Sequence, residues 1–278
     1  MSLPPLTRAV LGVPVEEGVV PEPWEATVSE PPYLWAEADR MLFRSGRAAV
    51  LVEAAGRIVL QAADEAARSD YDWLLYSTAA RALLTMRGRH NLHATLVVPP
   101  GGGPAVAVLG DSGAGKSTTT VALVRRGWTL ACDDIVEVRP GADGSVAHPV
   151  DRPLHLSDDA AALLGLDPAD GRPLPLRDKR AYVVPTAPGA VPLGALVVLS
   201  PLGADEVAAT RVDALAALPT VAASADRYGI ATLPAHRSAF LAWAAGVCSS
   251  VAVWDVRRPA GRDTVDAVAD AVVGAGGL

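Results

Sequence analysis

Cysteine is nearly absent: the 278 residues include two, Cys132 and Cys248. Two thiols cannot build the disulfide framework of a small secreted scaffold, so a reducing, cytoplasmic setting is expected. Aromatic residues are sparse at 5%, which leaves a core of Ala, Val and Leu. No eighteen uncharged apolar residues run together, and this excludes a helical membrane span. The opening residues, MSLPPLTRAVLGVPVEE, place prolines and acids where a signal peptide needs a basic start and an apolar run, so none is expected. Positive charge is not in excess either. A net charge of −7 argues against nucleic-acid or anionic-membrane partners, which select basic surfaces.

Half the residues are hydrophobic over a length that suits one large domain or two modest ones, enough for a sizeable core. The most informative stretch is Ala105 to Asp134, AVAVLGDSGAGKSTTTVALVRRGWTLACDD. The apolar run Ala105 to Leu109 predicts a buried strand. Gly110, Asp111, Ser112, Gly113, Ala114, Gly115, Lys116 and Ser117 then complete a G-x-x-x-x-G-K-[ST] phosphate loop, with Thr118 following. Glycines allow the backbone to curl into a nest of N–H groups that faces phosphate oxygens. Lys116 suits the β and γ phosphates of ATP, and the Ser117 hydroxyl suits Mg²⁺. A helix over Lys116 to Arg126 turns its positive end toward the same anion, and Gly127 is placed to end it.

Trp128 to Cys132 predicts a strand with Asp133 and Asp134 at its carboxyl end, where open α/β sheets collect ligands. One carboxylate can hold Mg²⁺ while the other takes a proton from an attacking hydroxyl. The competing reading is a simple turn cap. His93 stands in an apolar strand, Leu92 to Val98, that precedes the loop strand; a satisfied core histidine is the plainer alternative there.

Together, His93, GDSGAGKS at Gly110 to Ser117 and ACDD at Ala131 to Asp134 resemble the HPr kinase/phosphorylases and the serine kinases related to them. Phosphoenolpyruvate carboxykinases share the plan more distantly. The resemblance is carried by residues 92–138. It implies an α/β fold with a P-loop kinase core of the HPr kinase C-terminal and phosphoenolpyruvate carboxykinase type; the small α+β lobe expected before that core is read from its own residues, which show no match to the family's N-terminal domain. The resemblance also implies ATP and Mg²⁺ as cofactors and transfer of the γ-phosphoryl group to a serine hydroxyl. On that pattern Asp133 is the base, His93 assists it, and Ser117 with Asp134 holds the metal. The Glu-containing metal motif and the Arg-Gly-Leu-Gly signature of the family's best-known members are missing, so a peptide, such as a ribosomal-peptide precursor, becomes the expected acceptor. A free small molecule such as an amino acid is the runner-up. A non-catalytic ATP-dependent switch and a reverse-running phosphorylase complete the alternatives, and the sequence leaves a homo-oligomer open.

Elsewhere, residues 1–88 are expected to form the small N-terminal lobe and 89–278 the catalytic domain. Prolines and glutamates before residue 35 predict extended edges, Arg47 to Val52 with Arg57 to Gln61 a hairpin, and Tyr71 to Met86 a helix with one apolar face. Ile135 to Pro149 predicts a second hairpin with Glu137 on a solvated face, and Ser157 caps a helix. Gly194 to Ser200 and Val251 to Val256 predict core strands, and Ala235 to Val247 and Thr264 to Val273 helices. Arg152, Arg177, Lys179 and Arg180 are candidates for binding the acceptor or its phosphate. An ordinary surface charge cluster is the competing reading.

Overall fold

Valine-rich runs pair into sheets and alanine–leucine runs coil against them, giving a mixed α/β chain. The computed structural model describes residues 9–30, 33–111, 113–150, 153–174, 178–183, 189–200, 204–259 and 264–277. The chain divides into two compact units. One gathers the described parts of Met1–Arg89 and Leu174–Arg177 with Asp226–Phe240; the other takes the rest.

In the first unit the strands Ala9–Val10, Val13–Glu17, Arg57–Ala62, Ala48–Glu53, Arg40–Ser45, Leu34–Ala36 and Val28–Glu30 lie in that order in one sheet. The expected hairpin is present, with Val50 opposite Leu60, and the expected early strands Ala9–Val10 and Val28–Glu30 form the two edges. Helical turns run from Tyr71 to Met86, with a wider π-helical segment over Leu74–Ala79. A single apolar face was expected there. Instead Leu74, Leu75, Ala80, Ala82, Leu83 and Leu84 are all fully buried, so the helix is enclosed nearly all round. Tyr228 joins this unit, its hydroxyl donating to Thr78 Oγ1 at 3.2 Å and its ring meeting Phe43 edge-on.

The second unit is built on a larger sheet. In it Ala105–Leu109 is flanked by Ala94–Val98, which runs antiparallel, and by the sheet's middle strand, Val191–Ser200, which runs parallel. Ala252–Arg257 lies parallel on the far side of Val191–Ser200, and Thr129–Cys132 lies antiparallel on Ala94–Val98. Four strands therefore point the same way, and the residues that follow them, Gly110, Asp133, the end of Val191–Ser200 and Arg258, leave at one edge. Helices Lys116–Arg125 and Val265–Ala275 cover one face, where Val106, Val108, Leu123, Val197, Val268 and Val272 pack into one cluster. Burying each such side chain stabilises the fold by roughly 1.5–3 kcal/mol, which keeps the phosphate-loop strand in a fixed register.

Two local expectations are corrected. The strand predicted over Leu92 to Val98 is interrupted at His93, whose backbone N–H turns aside to Ser224 O at 3.0 Å. Asn91–Leu92 pairs with Val136–Gly141, whereas Ala94–Val98 pairs with the loop strand. Glu137 is not solvated: it is 2% exposed, with Oε1 accepting from Arg139 Nε at 2.8 Å. Val136 and Val138 are buried on the opposite face of the same strand, so polar–apolar alternation does not mark an exposed side here.

Candidate phosphate-loop and carboxylate site

The loop takes the conformation its glycines permit. Gly110, Gly113 and Gly115 have φ of 146°, 85° and 100°, and Ala114 N–H closes a turn onto Asp111 O at 3.0 Å. At Gly110 a Cβ would lie 2.9 Å from Ala114 Cβ and 3.0 Å from Leu199 O, so only glycine fits between the loop and the neighbouring strand. The helix starts at Lys116, directly after Gly115, and ends with Gly127 at φ 84°. Asp111, Gly113, Ser117 and Thr118 are exposed, while Ala114, Thr119 and Thr120 are buried and anchor the loop from below. Ser112 lies outside the described residues.

Lys116 Nζ donates to Gly110 O at 2.5 Å and to Asp111 O at 3.3 Å, holding its ammonium within the loop's curve. Burial pulls its pKa below the ordinary lysine value. Asp133, Asp134 and Asp111 oppose that shift by stabilising the charge, and the Lys179 ammonium reinforces it. The acid pair is thus close enough to the loop lysine to act on it electrostatically.

The two aspartates have different partners. Asp133 Oδ1 accepts from Thr95 Oγ1 at 2.7 Å, and its second oxygen meets no donor among the described residues. Asp134 Oδ1 lies 2.6 Å from His93 Nδ1, which also approaches the Asp134 carbonyl at 3.3 Å. His93 was expected to assist Asp133; its ring pairs with Asp134 instead. The cause is in the backbone. Asp134 has φ of 77°, a left-handed conformation uncommon outside glycine, and the turn carries its carboxylate off the line of Asp133 toward the strand break at His93.

The basic candidates separate. Arg180 is tied into the small sheet that carries it: Nε donates to Asp158 at 3.0 Å and Nη1 to Gly171 O at 3.2 Å. Lys179 is exposed on the same strand and acts on Lys116. Arg152 and Arg177 lie outside the described residues. Thr95 and Arg258 were not anticipated. Thr95 is an ordinary strand residue in sequence, whereas Arg258 could have been suspected as the first residue past a strand of the ligand-collecting edge. Among the described residues no three His, Cys, Asp or Glu side chains group as a metal site, and no helix is long and apolar enough to cross a membrane.

No family model matches the chain. Over 65 residues, 23% of its length, it is 45% identical to HPr kinase/phosphorylase from two strains of Limosilactobacillus reuteri, of which that stretch covers 20%. Among solved structures, the HPr(Ser) kinase/phosphatase from Coxiella burnetii aligns with a TM-score of 0.35 and 15% identity, over 66% of this chain and 93% of that one. In sequence, the chain is HPr kinase-like over the matched stretch, and that stretch is a fifth of the relatives' length.

Proposed function

We propose that the chain is an ATP-dependent kinase of HPr-kinase type, in which 89–278, apart from the Asp226–Phe240 stretch that belongs to the first unit, is the catalytic domain with a P-loop core of the HPr kinase and phosphoenolpyruvate carboxykinase kind, and 1–88 belongs to a separate lobe. It transfers the γ-phosphoryl group to a serine hydroxyl on a peptide or protein. The observation that carries this reading is that Asp133 and Asp134 leave the sheet at the same edge as the glycine-curled phosphate loop, where Thr95 and His93 hold their carboxylates. A nucleotide-binding switch needs the loop but no second carboxylate beside it.

In this reading the loop N–H groups and Lys116 hold the β and γ phosphates. The oxygens present suit Mg²⁺, which commonly takes one or two protein oxygens and completes its shell with phosphates and water. Ser117 is exposed, and Asp133 keeps one oxygen outside its bond to Thr95. Bound there, Mg²⁺ would supply neutralisation of the phosphate charge.

The carboxylate beside His93 suits the proton. As the serine oxygen bonds to the γ-phosphorus, the bond from that phosphorus to the β–γ bridging oxygen breaks and ADP leaves. The hydroxyl proton passes to Asp134, and His93 holds that carboxylate in place. This exchanges the two roles expected from sequence, because a His-paired carboxylate is less suited than a threonine-bonded one to face a cation.

The test is ADP release and a phosphate-mass product from purified protein, ATP and Mg²⁺, with peptides encoded beside its gene as acceptors. A phosphoserine peptide is the expected outcome. Phosphorylation confined to a free amino acid would move the acceptor to the small-molecule class. ATP binding without transfer to any hydroxyl would overturn the kinase reading.

A further inference from the structure

Arg258 is the first residue beyond Ala252–Arg257, whose parallel alignment with Val191–Ser200 sets Ser200 opposite Arg257. Val191–Ser200 is in turn parallel to the loop strand, with Leu109 opposite Val198. This stepped register delivers the Arg258 guanidinium to the phosphate loop. Its Nη2 donates to Ala114 O at 3.3 Å, and Nη2 and Cζ lie 3.6 and 3.8 Å from where a Cβ on Gly115 would stand. Gly115 immediately precedes Lys116, so a second cation stands against the loop that Lys116 serves.

A guanidinium carries five N–H donors in a rigid plane. Here one is used on Ala114, and Nε is buried with no partner among the described residues. A buried donor without a partner costs free energy, whereas planar paired donors match two oxygens of a phosphate. The neighbouring Arg257 is committed elsewhere, to Asp255 at 2.8 Å, and Asp255 also accepts from Ser200 at 2.6 Å. That local carboxylate is therefore occupied and does not claim Arg258.

We propose that Arg258 is a nucleotide-binding residue: it braces the Ala114–Gly115 peptide with one donor and gives others to the polyphosphate of the bound nucleotide. The inference rests on the phosphate-loop reading and adds to it a cation from the far end of the chain. Arginine serves both purposes because its rigid planar fork pairs its donors to the geometry of phosphate oxygens, whereas a lysine ammonium acts as a point charge.

The experiment is calorimetric titration of ATP, ADP and AMP into the full chain and into Arg258→Gln, Arg258→Lys and Lys116→Ala, with thermal melts to check folding. Glutamine keeps an N–H for Ala114 O but loses the charge. A phosphate contact predicts that Arg258→Gln weakens ATP and ADP binding about tenfold or more, the value of a charged hydrogen bond, and spares AMP. Arg258→Lys should retain an intermediate share of the affinity, and it carries the test if the glutamine variant does not fold. ATP affinity at the wild-type level in Arg258→Gln, alongside a loss in Lys116→Ala, would overturn this inference and leave the loop reading standing. A wild-type chain that binds none of the three nucleotides would overturn both.

Discussion

His93 and Asp134 meet through Nδ1 and Oδ1 at 2.6 Å, and it is the break in the strand at His93 and the left-handed backbone at Asp134 that bring them together. Asp133, one residue earlier, faces Thr95 instead. Neighbouring carboxylates with different partners should fail in different ways when each is neutralised.

Asp134→Asn is the cleaner of the two substitutions, because asparagine tolerates the left-handed backbone that Asp134 adopts. We expect it to bind MgATP nearly as wild type does and to lose phosphoryl transfer by on the order of 10²–10⁴-fold, the range for a proton-transfer group. Asp133→Asn should weaken MgATP binding, with partial recovery at high Mg²⁺. His93→Gln should follow Asp134→Asn in kind, at smaller magnitude. Binding by calorimetry beside single-turnover transfer across a Mg²⁺ series separates them. The opposite pattern would restore the roles expected from sequence.

Gly110→Ala tests the fit of the loop against its neighbouring strand. The added methyl meets Ala114 Cβ and Leu199 O at 2.9 and 3.0 Å, and φ of 146° is unfavourable for alanine. Overpacking of this kind costs about 1–3 kcal/mol. Urea unfolding should show that loss, and ATP affinity should fall with it because the nest is displaced. A variant with wild-type stability would mean the strand yields freely.

Lys179 and Arg180 are adjacent and should behave unlike one another. Lys179→Ala should raise the acceptor KM more than the ATP KM, a loss of ground-state binding at one substrate. Arg180→Ala should leave both KM values alone and lower stability by about 0–1 kcal/mol, as expected for a surface ion pair. Steady-state kinetics with each substrate varied in turn decides the point. An acceptor KM that moved only in Arg180→Ala would show that the bond to Asp158 gives way in the complex.

The strand, glycine turn and helix of the Gly110–Ser117 loop were legible because they are contiguous, so local sequence carries their conformation. The acid pair was legible for the same reason, being the end of the next strand. Its partners were not. Thr95 reaches Asp133 across 38 residues and Arg258 reaches Ala114 across 144, and such pairings depend on strand order that no local period reports. Arg40–Ser45 was missed because Arg-Met-Leu-Phe-Arg-Ser lacks strict alternation; its neighbours in the sheet, not its own pattern, make it a strand. Glu137 was misread because its charge was taken for exposure in a strand buried on both faces.

Lys116 connects the site to stability through pH. Burial favours its neutral form and holds its folded pKa below the ordinary 10.5. The unfolded chain therefore binds a proton at this residue more tightly than the folded one between those two values, and stability must rise with pH across that interval. The cost of the buried ammonium is present throughout the range below the folded pKa and is relieved as pH climbs through it. Lys116→Met removes the group in both states. The stability difference, variant minus wild type, should then be most favourable to the variant near neutral pH and should decline as pH approaches 10.5. Urea midpoints for the two proteins across an alkaline pH series measure it, and subtraction cancels the titration of every other group. A difference that stayed flat would place the lysine in an environment as wet as bulk water. One that grew with pH would mean that Asp133, Asp134 and Asp111 outweigh burial and raise the folded pKa.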